Sequence, residues 1–223
     1  MRHLALLAIL TACGSKLEAS PERIVKLVPI TDTLCVTKGA AKVGTTVNEP
    51  TMRAVAPGTS GDGAQLDFSY RGDTLTSREL ASGSARRQVG IKLRAQNGCN
   101  LVYVMWRLDP KPMLEVSVKS NPGKVTHQDC GADGYLKVKA TKSWPVPVLA
   151  DGDRHVLRAA IAGDDLTAWI DDKVAWRGKL PVEARVLAGP SGIRSDNLRF
   201  DLHAFSATPI ETADTTCRKE HGD

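Results

Sequence analysis

Aromatic residues are scarce in this 223-residue chain: four Trp, three Tyr and three Phe make up only 4% of it. A core built from this sequence therefore rests on Val, Leu, Ile and Ala, not on large rings. No apolar run reaches the roughly 18 residues that a membrane-crossing helix needs, so no segment reads as a permanent span. Helix signals are also nearly absent, and only residues 181–187 have room for a turn or two. There is no C-x-x-C and no Cys/His cluster, which speaks against a structural zinc site. None of the five histidines, His3, His127, His155, His203 and His221, has metal-ligand spacing or stands in a nucleophile turn. No G-x-S-x-G elbow occurs, and the glycine-rich segment at Gly189 and Gly192 lacks the helix and the Lys-Ser/Thr of a phosphate loop. Internal repeats and low-complexity tracts are missing as well. Neither a cofactor nor a metal is expected.

What the chain does have is alternation. Residues 155–162 place Leu157, Ala159 and Ile161 on one side and Val156, Arg158 and Ala160 on the other, the period of a half-buried strand. Gly163-Asp164-Asp165 supplies a turn, because Gly and Asp tolerate positive φ. Residues 166–171 run back, Asp172-Lys173 turns again, and residues 174–177 form a third short strand. GPSGIRSDN then reads as a structural turn before a closing strand in which Leu198, Phe200 and Leu202 alternate with charged residues.

This order resembles the C-terminal half of concanavalin A-like (laminin G-like) jelly rolls. That family often shows H-x-L, then G-D-x-L, x-V-D-G, G-x-x-G-L-R-S and a final Phe. The matching positions are His155-Val156-Leu157, Gly163-Asp164-Asp165-Leu166, Ile170-Asp171-Asp172 and Gly189 through Ser195. Asp172 stands where the family usually has Gly. The resemblance implies an all-β, two-sheet antiparallel jelly-roll sandwich, a fold that hosts lectins, glycanases, adhesion modules and structural domains. Retaining glycanases of the fold usually carry E-x-D-x-x-E on a strand, and no such triplet occurs here. Asp164-Asp165 and Asp171-Asp172 lie at opposite ends of one strand, so they cannot share a calcium ion, and turn chemistry explains them.

At the N-terminus, Arg2 and His3 precede an apolar run that ends Leu10-Thr11-Ala12-Cys13. L-T-A-C resembles the bacterial lipoprotein signal, in which the Cys is diacylated and becomes the first mature residue. It implies a signal peptide over 1–12, a lipidated N-terminus and tether over 13–34 with Cys13 as the anchor, a sandwich over 35–217 and a tail over 218–223. It also implies a bacterial cell-envelope location, with Gly14 after the Cys pointing to the outer membrane. Residues 37–63 are expected to hold little beyond an edge strand or two, with the main run of strands beginning near Ala64. A meander follows over residues 88–96, 101–108 and 114–119, with Asn97-Gly98 as its first hairpin turn and a loop over 120–134 after it.

Five cysteines less a lipidated Cys13 leave four, an even number in an exported chain, and arithmetic allows three pairings. The meander brings Cys99 and the Cys130 loop to the same end of the sheet. Jelly rolls also tend to bring their chain ends together, so the resemblance pairs Cys35 with Cys217 and leaves Cys99 with Cys130.

The chain carries 30 Lys+Arg against 25 Asp+Glu, spread along its length, so no nucleic-acid partner is expected. Alternation puts Lys92, Arg94, Tyr103, Arg107, Glu115, Ser117, Lys119, Lys137 and Lys139 on the non-core side of four successive strands. That face reads either as ordinary solvated sheet or as a shallow surface for an anionic or polyhydroxyl ligand. The candidate ligand-binding residues are Lys92, Arg94, Tyr103 as a stacking platform, Arg107 as a fork donor, and Lys119. The function expected is a lipid-anchored binding module for a glycan or an anionic cell-envelope polymer. A carbohydrate-active enzyme of the same fold and a structural envelope component are the alternatives.

Overall fold

The computed structural model describes residues 26–30, 34–210 and 216–217, and strands dominate them. In chain order they are β1 (Val28–Pro29), β2 (Cys35–Lys38), β3 (Thr45–Val47), β4 (Thr51–Ala56), β5 (Thr59–Asp73), β6 (Gln88–Asn97), β7 (Asn100–Arg107) and β8 (Met113–Lys119). A single-turn helix α1 (His127–Cys130) precedes β9 (Tyr135–Lys137), β10 (Lys142–Ser143), β11 (Arg154–Ala162), β12 (Asp165–Ile170) and β13 (Lys173–Lys179). A 3-10 turn (Val182–Val186) leads to β14 (Ser191–Asp196) and β15 (Leu198–Pro209). One sheet has eight strands in the order β1-β15-β5-β11-β12-β13-β10, with β3 also on β15; the other runs β2-β4-β14-β6-β7-β8-β9. Neighbours are antiparallel throughout, which gives a two-sheet jelly-roll sandwich.

The core follows from the alternation. Val89, Ile91 and Leu93 of β6, Val102, Val104 and Trp106 of β7 and Val116 and Val118 of β8 face Leu66 and Phe68 of β5, Leu157, Ala159 and Ile161 of β11, and Phe200 and Leu202 of β15. Phe68 meets Trp106 and Phe200 edge-on, with ring centroids 6.0 and 6.1 Å apart. Such edge-to-face pairs add roughly 0.5–1.5 kcal/mol beyond area burial, so scarce rings are concentrated where they count most. The Asp171-Asp172 turn is made with φ of 49° and 61°, and Asp171 also accepts from the Val156 amide, which is turn chemistry.

Three sequence expectations need correction. Residues 37–63 are not largely irregular: β4 lies inside the seven-stranded sheet with five of its six residues buried. The GPSGIRSDN segment is not a turn, because Ser191–Asp196 forms β14, paired to β4 on one side and β6 on the other and buried throughout. Finally, the phase of β6 breaks at Arg94, whose φ of 46° accompanies a register shift between Leu93 and Asn97. Ala95 therefore leaves the main core and joins Cys35, Val55, Leu101, Tyr103 and Met105 in a second apolar cluster. Trp176 packs in the main core, where a bulge between Ala168 and Trp169 changes the pairing of β12 with β13.

Both expected disulfides are present, Cys35–Cys217 and Cys99–Cys130, with Cα atoms 5.2 and 5.9 Å apart. Cys13, like all of residues 1–25, lies outside the described residues.

Candidate binding cleft

The side of the seven-stranded sheet turned away from the core carries a cleft of about 440 Å³. Its floor is a set of rows fixed by register. One row runs Arg53–Arg194–Gly90–Met105–Glu115 from β4 to β8, and the next runs Gly192–Lys92–Tyr103–Ser117–Lys137 from β14 to β9. Gly90 leaves a gap in the first row, and the Met105 sulfur closes it: a Cβ on Gly90 would lie 2.9 Å from that sulfur. The centre of the floor is thus apolar, and charge stands on both sides of it.

On the β14 side sits Asp196, fully buried between two guanidinium groups. Its carboxylate accepts from Arg53 Nη2 at 2.7 Å, Gln88 Nε2 at 2.7 Å and Arg194 Nε at 2.9 Å. Arg53 also donates to the carbonyls of Met52 and Ser195, both at 2.8 Å. Burial alone would raise the Asp196 carboxyl, but the two arginines and the Gln88 amide hold it below the ordinary carboxylate range. Arg53 and Arg194 thus share one buried carboxylate under this end of the cleft.

On the β8 side, Glu115 accepts from Arg107 and lies 3.3 Å from Lys137 Nζ and 3.6 Å from Arg86 Nη1. Here too burial pushes the carboxyl up, and Arg107 and Lys137 more than offset it, so the group stays ionised. Three cations thus converge on one carboxylate at this end.

Between the ends, Tyr103 and Tyr135 stack at 6.0 Å and 18°. Arg194 lies over the Tyr103 ring at 4.7 Å and donates to the Tyr135 hydroxyl at 3.3 Å. Lys119 supports Tyr135 from below, with its Nζ 5.2 Å from the ring centroid and bonded to the Gly98 carbonyl at 3.1 Å. Tyr103 is 1% exposed and Tyr135 39%, so Tyr135 presents the accessible ring.

Two loops wall the cleft. The loop after β5 contributes Arg78, Glu79, Leu80, Ser82 and Arg86. Asn197, at φ 49°, clamps it: its side chain accepts from the Arg78 amide at 2.7 Å and donates to the Arg78 and Arg86 carbonyls at 2.8 and 3.1 Å. The opposite wall, His127, Gly131 and Ala132, is tied down by Cys99–Cys130 and by Asn121, which donates to the Cys99 and Asp133 carbonyls. In all, six cationic side chains and two carboxylates line the cleft.

The five residues expected to bind ligand fare differently. Tyr103 lines the cleft, stacked beneath Tyr135. Lys92 and Lys119 lie on the expected face but are fully buried, so they support the floor instead of presenting their charge. Arg107 is bound to Glu115 and to the Asp109 carbonyl, one layer below the surface. Arg94 is off the face: the left-handed backbone there turns its side chain to Asp62 at 2.7 Å and to the Ala184 carbonyl at 2.9 Å. Alternation did not identify Arg53, Arg194, Arg78, Arg86 or Tyr135. The first two lie on strands read as irregular or as turn, the next two on a loop, and Tyr135 at a strand start where phase is undefined. Among the described residues no group of three His, Cys, Asp or Glu is gathered as metal ligands.

No family model matches the chain, and no curated protein matches it in sequence. Among solved structures, the carbohydrate-binding module CBM66 from Bacillus subtilis is similar in fold, with a TM-score of 0.52 at 12% identity over 78% of this chain and 91% of that one. Weaker likenesses include the Crh5 transglycosylase (TM-score 0.46, 12% identity, 88% of this chain and 90% of that one). A tetrameric galectin from the sponge Cinachyrella sp. gives a TM-score of 0.43 at 10% identity over 71% of this chain and 99% of that one. The architecture is a concanavalin A-like sandwich.

Proposed function

We propose that this chain is an exported binding module, anchored to the bacterial outer membrane through a lipid on Cys13, that holds a glycan or an anionic envelope polymer in the cleft of its seven-stranded sheet. The observation that carries the reading is the cleft itself, whose polar and cationic walls surround an apolar floor beside the accessible Tyr135 ring. An apolar platform with converging polar groups suits a sugar ring, which has a C–H face and a polar rim. The fold shared with a carbohydrate-binding module supports the ligand class, but a fold hosts many functions, so the reading rests on the site. Binding is favoured over hydrolysis because Glu115 and Asp196 are ionised counter-ions, held low by the arginines beside them. Neither retains a proton at neutral pH to give to a glycosidic oxygen.

The test uses the full chain and its Cys13→Ser variant. Wild type is expected in the membrane fraction after a high-salt wash and the variant in the supernatant, since a diacyl anchor supplies two chains and Ser none. A variant that still sediments contradicts the anchor. The soluble variant, applied to a glycan array, should retain saccharides that mass spectrometry recovers at their original length. Shortened products would establish an enzyme instead.

A further inference from the structure

One wall of the cleft owes its place to very few contacts. The chain between β5 and β6, residues 74–87, brings no residue to either apolar cluster, so hydrophobic packing does not fix it. Its base is cinched where Arg87 pairs with Asp73 at 3.0 Å and Asp109 at 2.7 Å, and where the Leu75 amide donates to Asn48. Further out, Arg78 and Arg86 are drawn together by Asn197, which accepts from the Arg78 amide and donates to both carbonyls. Arg86 also reaches Glu115 at 3.6 Å. Between these two feet the tip closes only on itself: the Leu80 amide donates to the Ser84 carbonyl at 3.0 Å, and the Gly83 amide to the Leu80 carbonyl at 2.8 Å. Among the described residues, no hydrogen bond ties residues 79–85 to either sheet. Asn197 has a second task, because its φ of 49° makes the turn from β14 to β15. Few residue types serve both: Gly tolerates the turn but has no carboxamide, Asp tolerates it but has no donor, and Gln has the amide but tolerates positive φ poorly.

We propose that Asn197 is a positioning residue of the cleft, holding residues 79–85 as a flap on two pinned feet so that the flap meets a bound ligand at a fixed place and slows its departure. This rests on the reading of the cleft as a ligand site. Asn197 is 4% exposed and does not line the cleft, so it acts through the flap, whose Glu79 and Ser82 do line it. A flap ordered in advance spares the ligand the cost of ordering it, which raises affinity without adding a contact.

The experiment compares the full-length Cys13→Ser chain with its Asn197→Asp and Asn197→Gly forms. Asp keeps the shape and the turn but sets an oxygen against both carbonyls; Gly keeps the turn and offers them nothing. The probes, titrated over the immobilised chain, are an oligogalacturonate, a neutral oligoglucan and dextran sulfate. Whichever probe the Asn197 chain retains, both variants should bind it about tenfold more weakly, through faster dissociation. In isotope-labelled protein the Leu80 and Gly83 amides should exchange faster in both variants, while the melting temperature falls by only a few degrees. Equal affinity in all three chains, whatever their melting, would leave Asn197 a turn residue and overturn the proposal. Weakening in the Asp form alone would assign the effect to the added charge, and unchanged exchange would show that the flap stays in place without the clamp; either result also overturns it. Failure of every probe on the Asn197 chain would overturn the cleft reading and the positioning role together, even with the flap released in the variants.

Discussion

At the residue scale, the balance between buried cations and buried carboxylates governs both the fold and the cleft. Asp196 is fully buried, and Arg53 and Arg194 beside it have side chains only 4% and 8% exposed. Neutralising the acid removes the carboxylate that both arginines share in a low-dielectric layer, and breaking a buried pair this way typically costs about 3–5 kcal/mol. Asp196→Asn is therefore expected to lower the urea midpoint at neutral pH by a corresponding amount; a change near zero would mean that solvent already reaches the arginines. Glu115 and Asp196 also predict an acid dependence. Both carboxyls are held below their ordinary values in the folded state, so the unfolded chain takes up protons first as pH falls. Their contribution to stability is present above about pH 4.5 and is lost as pH falls through the lowered folded values. Urea midpoints from pH 7 down to pH 2.5 should show the loss, and Glu115→Gln should flatten part of it. An unchanged slope in that variant would count against the ion pairs around Glu115.

At the element scale, the sequence discloses strands in proportion to how differently their two faces are composed. β6, β8, β11 and β15 alternate apolar with polar residues, and they are legible even where, as in β6, both faces are largely buried. β14 is buried on both faces, one by Ile193 in the core and the other by the Arg194–Asp196 cluster. Its two charges and three small residues imitate a turn, and only tertiary pairing with β4 and β6 makes it a strand. β4 is disguised likewise by Arg53, which reads as solvent-facing and is buried. Arg94 shows the reverse failure: alternation was extended through a bulge that nothing in the local sequence announces. Gly192 is the glycine β14 needs, because a Cβ there would stand 2.2 Å from the Ala54 carbonyl oxygen and 3.0 Å from the Val55 Cα. Gly192→Ala should force β14 from β4 and cost about 1–3 kcal/mol or more. In a domain of this size that lowers the melting temperature by about 2–4 °C per kcal/mol. Calorimetric melting checks it against Ser82→Ala, an exposed wall residue whose change should stay within about 0.5 kcal/mol. Equal melting of the two variants would show that the strands can move apart freely.

At the scale of the whole molecule, the sandwich is a frame whose seven-stranded sheet carries the cleft. The disulfides serve the two tasks separately. Cys35–Cys217 closes 182 residues and Cys99–Cys130 closes 31, and loop-closure reasoning gives about 5 and about 4 kcal/mol respectively. The first joins the ends of the sandwich, and the second fixes a cleft wall against the hairpin turn between β6 and β7. The fold class and the Cys35–Cys217 pairing were legible through the resemblance to jelly rolls, and Cys99–Cys130 through the order of the meander strands. The cleft was half legible: its sheet and Tyr103 could be placed by phase, but its depth comes from loops and from strands whose charges face inward. The claim that this cleft is the binding surface is tested most directly by chemical-shift mapping of the isotope-labelled full-length Cys13→Ser chain during titration with oligogalacturonate. The account predicts that the amides that shift cluster at residues 78–86, 127–137 and 192–196. Shifts concentrated instead on the opposite sheet, around Arg154, Arg158 and Trp169, would contradict it.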